Sequence, residues 1–275
     1  MKFSCLMSIY KNTKVNELSE CLKSLYNQTV RATELVIVVD GPIPNDLQEY
    51  LNKESKLHEE IKVYPIEQNV GLGNALKFGV EKCSYEMVAR MDTDDICALD
   101  RFEKQLKIFE WDEELSLVGS NIEEFVDSVD NIVGERIVLE KHEDICKDLK
   151  KRCPINHMTV MFKKSEVKKA GGYLHWLYDE DSYLWIRMYL AGCKFYNLQE
   201  NLVKARVNLD TYARRGGYKY FKSERDLFKL MYDKKIINYF EYLKCISIRF
   251  AVYVLMPNKV RSWAFKKFAR KNVGN

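Results

Sequence analysis

Five consecutive aliphatic residues, Leu35-Val36-Ile37-Val38-Val39, constrain this chain more than any other stretch. A strand with one wet face alternates apolar and polar side chains. An unbroken β-branched run has no polar face, so both of its faces must be covered, as in a parallel sheet with helices on either side. The run stops at Asp40-Gly41-Pro42, a turn signal. Around it the pattern alternates. Phe3 to Tyr10 is a short apolar run, and Val15, Leu18, Leu22, Leu25 and Tyr26 recur at helical spacing. Leu47, Tyr50 and Leu51 mark a second helix, and Ile61–Ile66 a third strand. Ala75, Leu76, Val80 and Cys83 mark a third helix, and Met87–Met91 a fourth strand. This β-α-β-α-β-α-β order predicts a doubly wound α/β fold with ligands at the carboxyl ends of the strands.

The second half is less regular. Leu115 to Val126, Ile132 to Leu139 and Met158 to Phe162 read as strands, and His142 to Lys150 as a short helix. After Gly171-Gly172-Tyr173 a helix is expected from about Asp181 to Ala191, ended by Gly192, and from Tyr218 onward the pattern is helical. At 275 residues the chain is long enough for one large domain with its own core. Eight cysteines without a CxxC pair or zinc-type clustering fit small core residues in a reducing compartment. No secretory signal is legible at Met1–Tyr10, and the longest late apolar run, Phe250 to Met256, is far short of the roughly 20 residues that span a bilayer. A cytoplasmic protein is expected.

The sharpest chemical signal is Asp92-Thr93-Asp94-Asp95, directly after the fourth strand. Carboxylates this close repel one another and need an offsetting charge. A hard divalent cation, Mg²⁺ or Mn²⁺, would provide it and keep positions open for phosphate. The alternative is an acidic loop capping the next helix, whose apolar face is Phe102, Leu106 and Phe109. Asp40, at the end of the aliphatic strand, can accept from the N–H of a base or from ribose, or can serve the turn into Gly41-Pro42. Asn69-Val70-Gly71-Leu72-Gly73 can cradle a nucleotide through backbone N–H groups at a helix start. Asp179-Glu180-Asp181 precedes Tyr183, Leu184, Trp185, Ile186 and Met188. Those acids read either as N-terminal helix caps or as a general base on a rigid element.

Taken in order, Leu6-Met7-Ser8-Ile9-Tyr10, Leu35 to Asp40, Asn69-Val70-Gly71-Leu72, Met91 to Asp95, Arg101-Phe102 and Glu180-Asp181 with Leu184-Trp185 resemble the family-2 glycosyltransferases. These are inverting enzymes of the GT-A fold, a Rossmann-like mixed sheet flanked by helices. The resemblance covers at least Met1 to Arg206. Arg214 to Tyr220 and Leu255-Met256-Pro257 further resemble a bacterial subgroup that builds O-antigen, capsule and exopolysaccharide, including amylovoran-type galactosyltransferases. The resemblance implies a UDP-sugar donor, galactose favoured, and an acceptor sugar on a lipid diphosphate. It implies a glycosyltransferase domain over 1–215, with a donor half to about 110 and an acceptor half beyond it, and a helical extension over 216–275.

Carried over residue by residue, Asp40 is similar to the uracil-recognising carboxylate, with Ser8 and Tyr10 in the same pocket and Asn69 and Gly71 on the donor loop. Asp92 and Asp94 resemble the DxD pair, Asp94 being the direct ligand of Mn²⁺ or Mg²⁺. Arg90, Thr93, Asp95, Arg101 and Gln105 lie where the family contacts the donor or its flanking groups. Asp181 matches the catalytic base, with Glu180 beside it, and His157 and Trp185 fall on the acceptor side. For His157 a hydrogen-bonded histidine at a strand start is the alternative. One departure is Arg206-Val207-Asn208, where many relatives carry Arg-Val-His and use the histidine as a further metal ligand. A sugar nucleotidyltransferase would carry a Gly-rich, basic phosphate loop near the N-terminus, which Ser8-Ile9-Tyr10-Lys11-Asn12 does not offer. A non-catalytic nucleotide-binding scaffold of the same fold would have no need of Asp92, Asp94 and Asp181 together.

Charge position adds a partner. The formal net charge is +4, too weak to argue for nucleic acid. Residues 242–275 hold eight basic residues and no acidic ones, which leaves 1–241 at −4. Phe250, Val254, Leu255, Trp263, Phe265 and Phe268 are interleaved with those Lys and Arg side chains. That pattern predicts a helix in the headgroup region at the cytoplasmic face of an anionic inner membrane. The alternative is a basic helix packed on the domain with its charges in water.

Overall fold

The computed structural model describes residues 1–208, 216–257 and 260–261. Strands β1 (Phe3–Ile9), β2 (Glu34–Asp40), β3 (Ile61–Ile66) and β4 (Met87–Arg90) alternate with helices α1 (Val15–Tyr26), α2 (Asn45–Leu57) and α3 (Leu72–Lys82). Then come β5 (Ile96–Cys97), α4 (Arg101–Trp111), β6 (Leu115–Phe125), β7 (Ile132–Arg136), α5 (His142–Leu149) and a 3₁₀ turn at His157–Thr159. The order continues with β8 (Met161–Lys163), α6 (Lys164–Lys169), α7 (Glu180–Leu190), β9 (Lys194–Arg206), α8 (Tyr218–Asp233), α9 (Tyr239–Phe250) and a π turn at Ala251–Leu255.

One mixed sheet runs β3-β2-β1-β4-β8-β6-β9-β5, with β7 paired to β6. The first four strands are parallel, β8 is antiparallel to both β4 and β6, and β9 is again parallel to β6. The two-residue side-chain period divides the core. Leu35, Ile37 and Val39 of β2 join Phe3, Cys5, Met7 and Ile9 of β1 on the face covered by α1, α2 and α4. Val36 and Val38, with Leu6 and Val88, point to the other face, beneath α3 and α7. Each of these side chains contributes roughly 1.5–3 kcal/mol by leaving water, which is why a strand without a polar position is stable only here. Gly79 lets α3 sit against the sheet: a Cβ there would lie 2.4 Å from a methyl of Leu6 and 2.9 Å from one of Val38.

The second half differs from expectation in three places: the short helix α6 was not expected, and two strands depart from the predicted pattern. The segment from Met158 begins as a 3₁₀ turn, and the strand covers only Met161–Lys163. The Thr159 hydroxyl and backbone N–H both donate to the Asn156 carbonyl, at 2.8 and 3.0 Å, and this local bonding competes with the sheet ladder. The thirteen-residue strand β9 was not foreseen, because Asn197, Gln199, Glu200 and Asn201 interrupt its apolar alternation. Asn197 Nδ2 donates instead to the Leu139 and Pro154 carbonyls, and Gln199 Nε2 to that of Val138. These bonds give polar side chains on β9 partners along the chain that crosses it.

Toward the carboxyl end, Leu227, Phe228 and Met231 of α8 are buried in the same cluster as Leu184 and Trp185 of α7. Helix α9 starts from an Asn238–Glu241 capping box. Among the described residues no helix is long and apolar enough to cross a membrane. Trp263, Phe265, Phe268 and the basic residues from Lys266 onward, like Lys259 and Arg214-Arg215, lie outside the described residues.

Candidate active site

The carboxyl ends of β1, β2 and β4 surround a cleft of about 380 Å³. Ser8 and Tyr10 enter from β1 and the turn beyond it, and Asp40 from the last position of β2. Asn69 and Gly71 come from the loop into α3, and Asp92, Thr93 and Asp94 from the loop after β4. All eight are among the donor and metal residues expected from the sequence, brought together because parallel strands end on one edge.

Asp40 organises one wall. Its Oδ1 accepts from the Val70 N–H at 2.7 Å, and its Oδ2 from the Gly71 N–H at 3.1 Å and the Asn69 side chain at 3.0 Å. The loop can approach this closely because residue 41 is glycine. It sits at φ +83°, where a Cβ would stand 2.6 Å from the Asn69 nitrogen. Asp40 is therefore first the anchor of the Asn69–Gly71 loop, and it faces the cleft from that position.

The acidic loop forms the opposite wall. Asp92 is ion-paired to Arg90, whose side chain is buried. Burial, and next to it the Asp92 carboxylate, push Asp94 up to about 6, while Glu17 of α1 adds further negative charge. Asp95 is buried behind the loop, its Oδ1 accepting from the Arg206 N–H at 2.8 Å. Burial and then Asp92 hold its carboxyl well above the usual range. Asp92 and Asp94 thus fit a hard divalent cation as a pair of oxygen donors crowded with negative charge. Among the described residues no three His, Cys, Asp or Glu side chains converge to hold a metal. A cation there would draw its other ligands from phosphate oxygens and water.

Helix α7 packs against α3 beside this cleft: a Cβ on Gly73 would lie 3.3 Å from that of Glu180. Burial, followed by the Asp181 charge, raises Glu180 to about 7, with Arg90 opposing and Asp92 reinforcing the shift. The cleft carboxylates and the acids of α7 are thereby within electrostatic reach of one another. Asp181 is half-buried. Its Oδ1 accepts from the Ser182 N–H at 2.6 Å, and Oδ2 lies 3.7 Å from the Cys153 thiol. Burial keeps that thiol protonated, pushed up to about 12.

Four expected contacts are corrected. Arg101 is fully buried, with Nε on Gln105 and Nη2 on the Arg90 carbonyl at 2.8 Å, so its guanidinium does not reach the cleft. Gln105 is equally buried and donates to the Val118 and Thr159 carbonyls. Both side chains staple α4 to the sheet. Trp185 is fully buried, on the inward face of α7 with Leu184 and Met188. His157 lies beside it, its Nε2 2.9 Å from the Tyr173 hydroxyl. Burial and the Arg90 charge hold His157 neutral. Neither ring lines the cleft, and neither do Arg90, Asp95, Glu180 or Asp181, which stand around it.

Leu72, from the expected Asn69–Gly73 stretch, also lines the cleft, as do Asn12, Thr13 and Glu17, to which the sequence pattern gave no place there. The turn after a first parallel strand is a ligand wall by topology alone, which is the signal that could have found Asn12 and Thr13. Arg206 has a role that the sequence pattern did not assign. It fastens the acidic loop, donating from Nε to the Asp94 carbonyl at 3.1 Å and from Nη2 to Glu20. Its guanidinium also lies over the Phe125 ring.

Comparison with known proteins agrees with this architecture. Residues 4–168 match the model of glycosyl transferase family 2, a match that ends before α7. The amylovoran biosynthesis glycosyltransferase AmsE of Erwinia amylovora is 38% identical over 96% of this chain and 98% of its own. The UDP-Gal:alpha-D-GlcNAc-diphosphoundecaprenol beta-1,3-galactosyltransferase of Escherichia coli is 35% identical over 98% and 97%. Among solved structures, Staphylococcus aureus TarS 1-349 in complex with UDP-GlcNAc superposes with a TM-score of 0.66 at 17% identity, covering 96% of this chain and 75% of that one. The mannosyltransferase PcManGT from Pyrobaculum calidifontis, in complex with GDP-Man and Mn²⁺, gives 0.63 at 13% identity over 98% and 73%. At such identities the two structures speak for the fold alone, which is GT-A-like. With the family match over most of its length and near full-length relatives above 30% identity, the chain belongs to glycosyl transferase family 2.

Proposed function

We propose that this protein moves a hexose, galactose being favoured, from a UDP-sugar to an acceptor sugar carried on a lipid diphosphate, with inversion, during bacterial surface polysaccharide synthesis. The observation that carries the reading is the packing of the Glu180-Asp181 end of α7 against α3 beside the Asp40 and Asp92/Asp94 cleft. The named activities of the two bacterial relatives support the sugar, the acceptor class and the process.

The chain's own residues account for the steps. The Asn69–Gly71 loop, held by Asp40, and the Ser8–Tyr10 edge receive the nucleoside half of the donor. Asp92 and Asp94 would hold Mn²⁺ or Mg²⁺, which when bound neutralises charge on the departing diphosphate. Asp181 Oδ2 accepts the proton of the acceptor hydroxyl as that oxygen bonds to the anomeric carbon, while Oδ1 stays on the Ser182 N–H. The bond from the anomeric carbon to the diphosphate oxygen breaks in the same displacement, its electron pair leaving with UDP. A single displacement inverts the centre, so an α-linked donor gives a β-glycoside. Fixing two substrates on rigid elements supplies much of the rest of the acceleration.

We further propose that α9 rests on an anionic membrane surface. Phe240, Leu243, Ile248 and Leu255 are exposed along one side of α9 and its π turn, with Lys244 among them. Tyr242, Cys245 and Ile246 face the core, so α9 both packs on the body and offers an apolar stripe outward.

The deciding assay measures UDP release from UDP-galactose, UDP-glucose and UDP-N-acetylglucosamine with a lipid-diphospho-N-acetylglucosamine analogue. Acceptor-dependent release, stopped by EDTA and restored by Mn²⁺, is expected, with galactose preferred. Release that ignores the acceptor, or transfer from a nucleoside triphosphate to a sugar phosphate, would overturn the reading.

A further inference from the structure

Three consecutive residues ahead of the base-bearing helix are each fastened to α8. The Leu177 carbonyl accepts from the Ser223 hydroxyl. The Tyr178 ring lies 5.5 Å from that of Tyr220, and Tyr178 itself is held at φ +71°, a left-handed conformation that a tyrosine adopts only under constraint. Asp179, the residue before α7, does not cap that helix with its side chain. It turns away, and its Oδ2 stands 2.9 Å from Ser223 Oγ.

Proton counting then becomes informative. Ser223 has one hydroxyl proton and two oxygen neighbours, the Leu177 carbonyl and the Asp179 carboxyl. If Asp179 were a carboxylate, one contact would be between two acceptors with no hydrogen, inside the protein. If Asp179 keeps its proton, it donates to Ser223 Oγ while Ser223 donates to Leu177, and every group is satisfied.

We propose that Asp179 is an un-ionised carboxylic acid that ties α8 to the first turn of α7, making it a positioning residue for Asp181. This rests on the reading of Asp181 as the base. The surroundings support it: Asp179 is buried, and the charged groups acting on it are Glu180 and Asp181 of its own helix and Glu224 of α8. The cation packed near them, Arg249 of α9, is already engaged by Glu224 and the Lys151 carbonyl. Burial first, and then Glu224, push Asp179 up to about 8. Ionisation above that pH would put a fourth negative charge among these acids and break the Ser223 chain, releasing the end of α7. The donor cleft is built from other elements and would keep its shape.

The test uses the full-length protein and Asp179→Asn, whose amide donates to Ser223 at every pH. Wild-type transfer should fall at least tenfold from pH 7.5 to 9.5, whereas Asp179→Asn should hold its rate over that range. Ser223→Ala should lower kcat at least tenfold while leaving UDP affinity within about twofold. A second readout needs no activity. A carboxyl raised from about 4 in the unfolded chain to about 8 in the fold adds stability that is complete below pH 4 and gone above pH 8. The Tm of wild type should therefore drop more between pH 5 and 9 than that of Asp179→Asn, and Glu180 will contribute equally to both. Equal Tm losses together with equal alkaline losses of rate would overturn the proposal. If Asp181→Asn turned over normally while the Tm profiles still diverged, the base assignment would fail and the un-ionised Asp179 would stand. If Ser223→Ala did not fold, the two Asp179 comparisons would still decide.

Discussion

The Arg90 guanidinium is locked to the Asp92 carboxylate two residues further along, at the point where β4 gives way to the acidic loop. This buried cation faces a collection of anions: its charge opposes the rise that burial and neighbouring carboxylates impose on Asp94, Asp95 and Glu180. Its remaining donors, Nε and Nη1, find no partner among the described residues. Arg90 thus links the donor cleft to α7 electrostatically.

Replacing it tests this. Arg90→Met should lower stability by on the order of 3 kcal/mol, because it leaves partly buried carboxylates unbalanced. Urea denaturation should show a lower midpoint at an unchanged slope. A midpoint equal to wild type would mean that solvent, and not Arg90, balances the acidic loop.

Asp181→Asn removes the proton acceptor while keeping shape and the Ser182 contact. Transfer should drop on the order of 10²-fold or more, and UDP affinity measured by calorimetry should stay within about twofold. Near-normal turnover would remove Asp181 from the mechanism.

Gln105 separates two roles that the sequence could not. A donor contact would, on substitution, raise the donor KM. A staple would cost stability instead. Gln105→Ala strips partners from the Val118 and Thr159 carbonyls and from Arg101 Nε, so a loss of about 3 kcal/mol is expected. The KM for the UDP-sugar should be unaltered, and steady-state kinetics on the folded fraction will show it.

The strands that carry the cleft were legible because Leu35–Val39 and its neighbours have to be covered on both faces, and parallel strands must end together. That constraint located Asp40, Asp92 and Asp94 without any side-chain detail. What stayed hidden was decided by partners distant in the chain. Arg101 and Gln105 are polar residues near an acidic motif, and only the carbonyls of residues 90, 118 and 159 reveal them as core. Strand β9 was masked by polar residues whose partners lie at 138–154. Trp185 and His157 are aromatic groups that can serve a sugar or a core equally, and packing placed them in the core.

The exposed side of α9 makes a prediction about partitioning. Phe240→Glu combined with Ile248→Glu removes two exposed apolar anchors and adds two negative charges one turn either side of Lys244. Flotation with vesicles rich in phosphatidylglycerol should shift from bound to unbound, by tenfold or more in the partition coefficient. Equal flotation of variant and wild type would leave α9 as a packed helix only.

The Asp40 loop carries a kinetic consequence. Its hydrogen bonds are closed within the protein, so the wall we propose for the nucleoside exists before any ligand arrives. Association then needs no loop folding and should approach the rate set by diffusion and orientation. If the proposed UDP-sugar is the donor, small pieces of it such as uridine would find a finished surface, which makes this corner of the cleft a natural starting point for fragment-sized inhibitors.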